Sequence, residues 1–248
     1  MSNKDLFSGH ARIYSAFRPT YPEELYSFIF RHLQKTDTAW DCATGNGQVA
    51  EYLSLQFKQV YATDISAQQL EEAPRASFVQ YSTGAAEKTS FADNQFDLIT
   101  VGQALHWFDR DKFYNEVKRV ARPGALLAAW GYGVLSINPE LDIHLLDFYK
   151  NTVGPYWDSA RNLVEEKYQT LSFPFEEIPS PEFFIRVSWT LEHLAGYLES
   201  WSATQKYIKT HNTNPVTPLI EVLKDYWKFN ESKTVSFPVF LRLGRVLK

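Results

Sequence analysis

Two aspartates and two glycines are spaced as they would be in a site for a charged ligand that contains a nucleoside. Asp41 leads into the small-residue stretch Cys42-Ala43-Thr44-Gly45-Asn46-Gly47, and Asp64 follows at the end of the next apolar run. Glycine lets the backbone approach a ligand closely, and the N–H groups that begin a helix attract negative charge. An aspartate at a strand end can accept hydrogen bonds from both hydroxyls of a ribose. The pattern therefore predicts an adenosine-bearing ligand.

The glycines alone leave the identity of that ligand open. Gly45-x-Gly47-x-x-Ala50 also satisfies the dinucleotide fingerprint, so a nicotinamide-dependent oxidoreductase is an alternative. Asp41 favours a different ligand. Its negative carboxylate would lie close to the negative pyrophosphate of a dinucleotide, whereas it would suit a positive ammonium group, such as that of S-adenosylmethionine. A third hypothesis is a non-catalytic protein that binds this cofactor and serves as an interaction partner.

A parallel sheet would bring the two aspartates and the two glycines together at one edge. From Thr38 to Trp130, short apolar runs alternate with amphipathic stretches, which is typical of a parallel sheet with helices on both faces. Ser66 and Gln69 form a capping box for the helix after the second strand, and a helix is predicted over Pro22 to Leu33. The predicted strands are Thr38 to Cys42, Gln59 to Asp64, Ser77 to Tyr81, Phe96 to Gly102 and Ala125 to Gly131, followed by two late strands, Phe183 to Thr190 and Thr234 to Val246.

The expected fold class is α/β, a Rossmann-like and mostly parallel sheet with antiparallel C-terminal edge strands and a helical substrate cap. The 248 residues suit a single domain with one substantial core. We expect a sheet core over about 22–132 with late strands over about 183–190 and 234–246. Cap segments are expected over about 133–182 and 191–233, and an N-terminal lid over 1–21.

Five segments resemble the class I S-adenosylmethionine-dependent methyltransferases, and more narrowly the small-molecule group that includes trans-aconitate methyltransferase-like enzymes. Ala43 stands where the commonest family pattern has glycine, and Ala85 stands where an acid is often found. The segments are Tyr14 to Pro22, Trp40 to Gly47, Ala62 to Ser66, Gly84 to Glu87 and Gln103 to Asp109.

The resemblance implies S-adenosylmethionine as cofactor and a set of residues that bind it. Residues near Ala86 would lie beside the adenine, and Gln103 begins the floor beneath the methionine part. Together with the four residues argued from the loop, the cofactor-binding set is Arg18, Asp41, Ala43, Gly45, Gly47, Asp64, Ile65, Ala86, Glu87 and Gln103.

Methyl transfer from a sulfonium is an in-line displacement, so alignment of the acceptor matters more than acid–base chemistry. A carboxylate acceptor needs no base, whereas a phenol, alcohol or amine would benefit from one. His106, just after the fourth strand, is the candidate base, and a histidine that only packs beside Trp107 is the alternative. Tyr14, in the predicted lid, is the second candidate catalytic residue. Arg18 could clamp a carboxylate of the cofactor or of the substrate.

Amino-acid composition limits the classes of ligand and partner that the chain is expected to bind. The net charge of −4 argues against a broad basic surface for nucleic acid and favours a small-molecule substrate. Cys42 is the single cysteine, so neither a disulfide nor a cysteine zinc cluster is expected, and no metal is predicted. The polar N-terminal sequence and the lack of an apolar run near 20 residues predict a soluble, cytoplasmic protein with no membrane partner. The oligomeric state and the acceptor stay open.

Overall fold

One mixed sheet organises the chain in the computed structural model, which describes residues 17–228 and 230–248. The order across the sheet is β3-β2-β1-β4-β5-β8-β6, and β7 also pairs with β8. The strands are β1 Thr38–Cys42, β2 Gln59–Asp64, β3 Val79–Thr83, β4 Phe96–Gly102, β5 Ala121–Tyr132, β6 Glu176–Ile178, β7 Phe183–Trp189 and β8 Lys233–Arg245.

Helices cover both faces of this sheet and its carboxyl end. They are α1 Glu23–Arg31, α2 Gln48–Leu53, α3 Ala67–Glu71, α4 Arg110–Val120, α5 Pro139–Asp147, α6 Arg161–Glu165, α7 Leu191–Glu199, α8 Ser202–His211 and α9 Val216–Leu223. Short 3₁₀ turns occupy Leu105–Trp107 and Gly154–Tyr156, and a π-helical turn occupies Phe148–Thr152. None of these helices is long and apolar enough to cross a membrane.

Strands β1 to β5 are parallel, which confirms the predicted fold class. Two predicted strand starts differ from the structure by at least two residues. β3 begins at Val79, two residues late, because Phe78 adopts a φ of 66°, outside the extended region. β5 begins at Ala121, four residues early, because Ala121 already pairs with Phe96 before a register shift.

The late strands carry the antiparallel pairing that was predicted. β8 runs antiparallel to β5, with Gly131 opposite Phe240. On its other side β8 pairs with β7 and with β6, a three-residue strand that the sequence did not reveal. Strand β8 is thus paired with β5 over Val239–Arg245, and its other edge is paired over Lys233–Val239 and Leu243–Arg245.

Two hydrophobic clusters pack against opposite faces of the sheet. Trp40 of β1 and Trp130 of β5 are fully buried, one in each cluster. The later helices lie where β4 and β5 end. The Phe17 ring packs against Gly196 of α7, and α6 contacts the 3₁₀ turn that follows β4. Parallel sheets of this kind bind ligands beyond the carboxyl ends of their strands, and these helices lie at that end of the sheet.

Candidate cofactor and acceptor site

The loop between β1 and α2 bends through left-handed backbone. Ala43, Gly45 and Gly47 have φ angles of 56°, 57° and 82°. The Thr44 N–H donates to the Thr63 carbonyl at 3.0 Å, and the Gly47 N–H donates to the Thr44 carbonyl at 3.0 Å. These bonds hold the loop against β2 and leave α2 starting at its far end.

The two glycines serve different purposes. A Cβ on Gly45 would meet only the Gln69 Oε1, at 3.9 Å, so the space beside this residue is open. A Cβ on Gly47 would lie 2.7 Å from the Tyr81 hydroxyl oxygen. Gly45 therefore leaves room for a ligand, whereas Gly47 is required for the Tyr81 ring to pack against the loop.

Asp41 is buried and directed into the loop. Its Oδ2 accepts a hydrogen bond from Thr44 Oγ1 at 2.5 Å, and its Oδ1 accepts one from Thr100 Oγ1 at 2.7 Å. Burial raises the pKa of Asp41 to about 6, although the two threonine hydroxyls act in the opposite direction. The carboxylate thus braces the loop, and an ammonium group nearby would favour its ionised form.

Asp64 closes β2 with both oxygens held by backbone donors. Its Oδ2 accepts from the Gly45 N–H at 2.8 Å and its Oδ1 accepts from the Ser66 N–H at 2.9 Å. The Ser66 hydroxyl accepts from the Gln69 N–H at 3.3 Å, which is the predicted N-cap of α3. Ile65 is 48% exposed, an apolar side chain available to a ring bound beside the acid.

The segment predicted to flank the adenine is tied to the string after β4. Ala86 is buried, and Glu87 Oε1 accepts a hydrogen bond from the Asp109 N–H at 3.0 Å. Ala85, where the family often has an acid, is exposed. The resemblance segments at 84–87 and 103–109 therefore meet in space.

Gln103 is fixed at the carboxyl ends of β4 and β5. Its φ is 56°, its N–H donates to the Trp130 carbonyl at 2.8 Å, and its Oε1 accepts from the Tyr132 N–H at 2.8 Å. A Cβ on Gly131 would lie 2.6 Å from both Gln103 Oε1 and the Phe240 ring. Gly131 is therefore what allows Gln103 to cross the end of β5.

His106 lies in the 3₁₀ turn beyond Gln103 and is 7% exposed. Its Nδ1 is 2.8 Å from the Tyr168 hydroxyl oxygen. Burial, and secondarily the charge of Arg161, lower the pKa of His106 to about 3. The imidazole is thus neutral at physiological pH.

Arg18 reaches the same end of the sheet from the N-terminal side. Its Nη1 donates to the Tyr132 hydroxyl at 2.5 Å, and its guanidinium lies 5.4 Å from the centre of the Tyr197 ring. Tyr14, the other predicted lid residue, lies outside the described residues. Of the predicted set, the structure thus gathers Arg18, Gln103 and His106 at the ends of β4 and β5. Ala86 and Glu87 follow β3, and the residues at the ends of β1 and β2 are Asp41, Ala43, Gly45, Gly47, Asp64 and Ile65.

A cavity of about 330 Å³ opens beside the end of β5. Gly133, Phe240 and Arg161 contribute to its lining. The Arg161 guanidinium lies 5.1 Å from the Trp157 ring centre, and its Nε donates to the Tyr149 hydroxyl at 3.2 Å. Arg161 and Tyr168 were missed from the sequence, because α6 is one turn long and no periodic pattern marks the residues after it.

The residues present fit S-adenosylmethionine. Space is open at Gly45, a half-buried carboxylate stands beside it at Asp64, and an apolar side chain is exposed at Ile65. The Tyr81 hydroxyl faces the same loop, buried and without a hydrogen-bond partner in residues 17–228 and 230–248. Burial raises the pKa of Tyr81 to about 12, so this hydroxyl remains a donor.

Comparison with known proteins agrees with this geometry. Residues 40–129 match the family described as a methyltransferase domain. A Dictyostelium discoideum protein named as a methyltransferase is 33% identical over 97% of this chain and 95% of its own length. A Saccharomyces cerevisiae protein named as an S-adenosylmethionine-dependent methyltransferase is 21% identical over 86% of this chain and 84% of its own.

Solved structures show the same relationship. A type II methyltransferase structure from Anaeromyxobacter dehalogenans has 34% sequence identity and a TM-score of 0.87, covering 93% of this chain and 99% of that one. A methyltransferase structure from Bacillus halodurans shares the fold at 20% identity, with a TM-score of 0.52 and coverage of 92% and 100%. The chain belongs to the class I S-adenosylmethionine-dependent methyltransferases, and S-adenosylmethionine is its cofactor. The nicotinamide and non-catalytic alternatives are thereby set aside.

Proposed function

We propose that this methyltransferase acts on a small organic acid and methylates its carboxylate. The observation that carries the proposal is the position of Arg161, which lines the cavity beside the end of β5 and acts electrostatically on His106. A guanidinium recognises a carboxylate through two parallel N–H donors. The resemblance to the trans-aconitate methyltransferase-like group supports the same substrate class.

The direct partners of the Arg161 guanidinium support an anionic ligand. In the part of the chain that the structure describes, no aspartate or glutamate forms a salt bridge with Arg161. The nearby Glu165 instead accepts the Tyr149 hydroxyl hydrogen at 2.5 Å. A half-buried guanidinium held by aromatic rings and lacking a carboxylate partner is well suited to bind a substrate carboxylate.

The remaining residues have proposed roles in holding the cofactor. Asp64 would accept hydrogen bonds from the ribose, Asp41 would face the ammonium group, and the side chains of Ile65, Ala86 and Glu87 would flank the adenine. Ala43, Gly45 and Gly47 would shape the loop, while Gln103 and Arg18 would enclose the methionine part. S-adenosylmethionine supplies a methyl group on a sulfonium, and these residues align the acceptor with it and exclude water.

An acceptor screen tests the proposal. Purified protein is mixed with S-adenosylmethionine and with panels of small carboxylic acids, phenols and amines, and release of S-adenosylhomocysteine is measured. We expect turnover with one or more acids and formation of a methyl ester. Turnover confined to phenols or amines would contradict the carboxylate assignment, whereas binding of the cofactor should be seen in either case.

A further inference from the structure

Tyr168 is held in a strained backbone conformation next to His106. Its φ is 58° and that of Lys167 is 53°, a left-handed pair that bulky side chains rarely adopt. The side chain is fully buried, and its ring makes an edge contact with Phe240 at 5.0 Å. Strain of this kind persists only where surrounding contacts fix it.

Arg242 supplies those contacts. Its Nη1 donates to the carbonyl oxygens of Tyr168 and Leu171, each at 2.8 Å. Its Nε and Nη2 donate to the two carboxylate oxygens of Glu177, both at 2.9 Å. The buried guanidinium therefore clamps the turn that carries Tyr168, and through it the position of the hydroxyl.

The Tyr168 hydroxyl donates its hydrogen to the His106 ring. The Tyr168 hydroxyl is buried, and a buried hydroxyl hydrogen that is left without an acceptor costs the desolvation energy of that donor. Burial raises the pKa of Tyr168 well above its ordinary value, so the hydroxyl keeps its hydrogen. Within residues 17–228 and 230–248, the His106 Nδ1 at 2.8 Å is its only acceptor.

A neutral imidazole that accepts at Nδ1 carries its hydrogen on Nε2. We propose that Tyr168 is a positioning residue that fixes His106 as the Nε2–H tautomer, so that His106 donates a hydrogen bond to the methyl acceptor instead of removing a proton from it. A histidine in this state cannot act as a general base through Nε2. An acceptor that arrives ionised, as a carboxylate does, needs no base from His106. Its oxygen would receive the Nε2–H, and the positive charge of Arg161 would attract it.

This role for the acceptor rests on the proposed function, but the tautomer does not, and it is measured on the protein alone. The chain has six histidines, so protein labelled with ¹⁵N-histidine gives a resolvable two-bond ¹H–¹⁵N correlation spectrum. The His106→Gln variant assigns the His106 signals. We expect an unprotonated Nδ1 and a protonated Nε2 between pH 6 and 9. An Nδ1–H tautomer or an imidazolium in this range would overturn the proposal.

The Tyr168→Phe variant tests the cause. It removes one oxygen and leaves the ring, and we expect its His106 signals to shift toward a mixture of tautomers. A spectrum identical to the unmodified protein would show that Tyr168 does not fix the tautomer. The unmodified protein alone still decides the tautomer should this variant fold poorly.

The second experiment measures kcat/KM of His106 variants with an acceptor found in the screen. Glutamine keeps an N–H donor near the position of Nε2, whereas leucine keeps neither donor nor base. A hydrogen bond to a charged group is worth about 1.5–3 kcal/mol, which corresponds to roughly 10- to 100-fold in rate or affinity. We expect His106→Leu to lose kcat/KM by that factor and His106→Gln to retain most of it. Equal losses in both variants would indicate a base. A screen that finds no acceptor defeats the proposed function and leaves the spectroscopic result standing.

Discussion

The backbone N–H of Gly45 donates a hydrogen bond to the Asp64 carboxylate at 2.8 Å, which joins the loop after β1 to the end of β2. The other oxygen of Asp64 is held by the Ser66 N–H. Each carboxylate oxygen has two lone pairs, so both can still accept a ribose hydroxyl. Asp64 therefore holds the loop against the end of β2, and its proposed role is to accept the ribose hydroxyls of the cofactor.

Replacing Asp64 with asparagine is expected to weaken cofactor binding by about 10- to 100-fold, because the amide NH₂ would face a backbone donor and could not accept from a hydroxyl. Isothermal titration with S-adenosylhomocysteine measures the change. Asp111→Asn, an exposed position on α4, is the matched control and should bind normally. Equal affinity in the two variants would remove Asp64 from the site.

Ala43 stands in a conformation that favours glycine, with a φ of 56°. A left-handed alanine costs about 1–2 kcal/mol, and a glycine would relieve this at the expense of greater freedom in the unfolded chain. We therefore expect Ala43→Gly to raise the free energy of unfolding by about 0.5–1 kcal/mol, measured by urea denaturation.

Ala195→Gly is the comparison, because this alanine lies inside α7. Glycine in a helix interior should lower the free energy of unfolding by about 1 kcal/mol. Opposite signs at the two positions are the expected result. A loss of stability at both would mean that the Ala43 backbone is not strained in solution.

The strands and the acids at their ends could be predicted because each depends on a local pattern. Apolar runs that end in Cys42, Asp64 and Gly102 define β1, β2 and β4 with their observed bounds. The start of β3 could not be predicted in the same way. Phe78 is a strand-forming residue type, but its backbone is left-handed and 64% of its side chain is exposed.

The proposed acceptor side of the site depends on contacts between distant segments. His106 and Tyr168 are 62 residues apart, and the strained turn that carries Tyr168 is fixed by Arg242, a further 74 residues along. No local periodicity encodes such a relationship. A sequence motif singled out His106, but its partner Tyr168 became visible only once β8 had brought Arg242 to the turn.

Arg161 is expected to determine the affinity for the acceptor and not for the cofactor. Arg161→Gln should raise KM for an acid found in the screen by about 10- to 100-fold, because the substitution removes the charged partner of the carboxylate of the bound acceptor. The Kd for S-adenosylhomocysteine should stay unchanged. Arg186→Gln, an exposed arginine on β7, is the control. A KM unaffected by Arg161→Gln would place the acceptor elsewhere.

Asp41 is expected to make both stability and cofactor affinity depend on pH. Its pKa is raised by burial from the ordinary 3.8 to about 6, so the folded chain holds this proton more tightly than the unfolded chain does. The resulting stability is full below pH 4 and is lost as the pH rises through 6, by up to about 3 kcal/mol for the two-unit difference. The side chain in Asp41→Asn cannot ionise, so this variant should not lose that stability as the pH rises. Between pH 4 and pH 7, its free energy of unfolding should therefore increase relative to that of the unmodified protein.

Cofactor affinity should change in the opposite sense over the same range. An ammonium group beside Asp41 stabilises the ionised carboxylate, so raising the pH from 5 to 7 should tighten S-adenosylhomocysteine binding by about tenfold. Calorimetry at several pH values, on the unmodified protein and on Asp41→Asn, separates this contribution from those of other groups. The variant should show a flatter profile and weaker binding at pH 7. A profile that keeps its full slope in Asp41→Asn would show that the ammonium group lies near a different carboxylate, and that Asp41 serves only to brace Thr44 and Thr100.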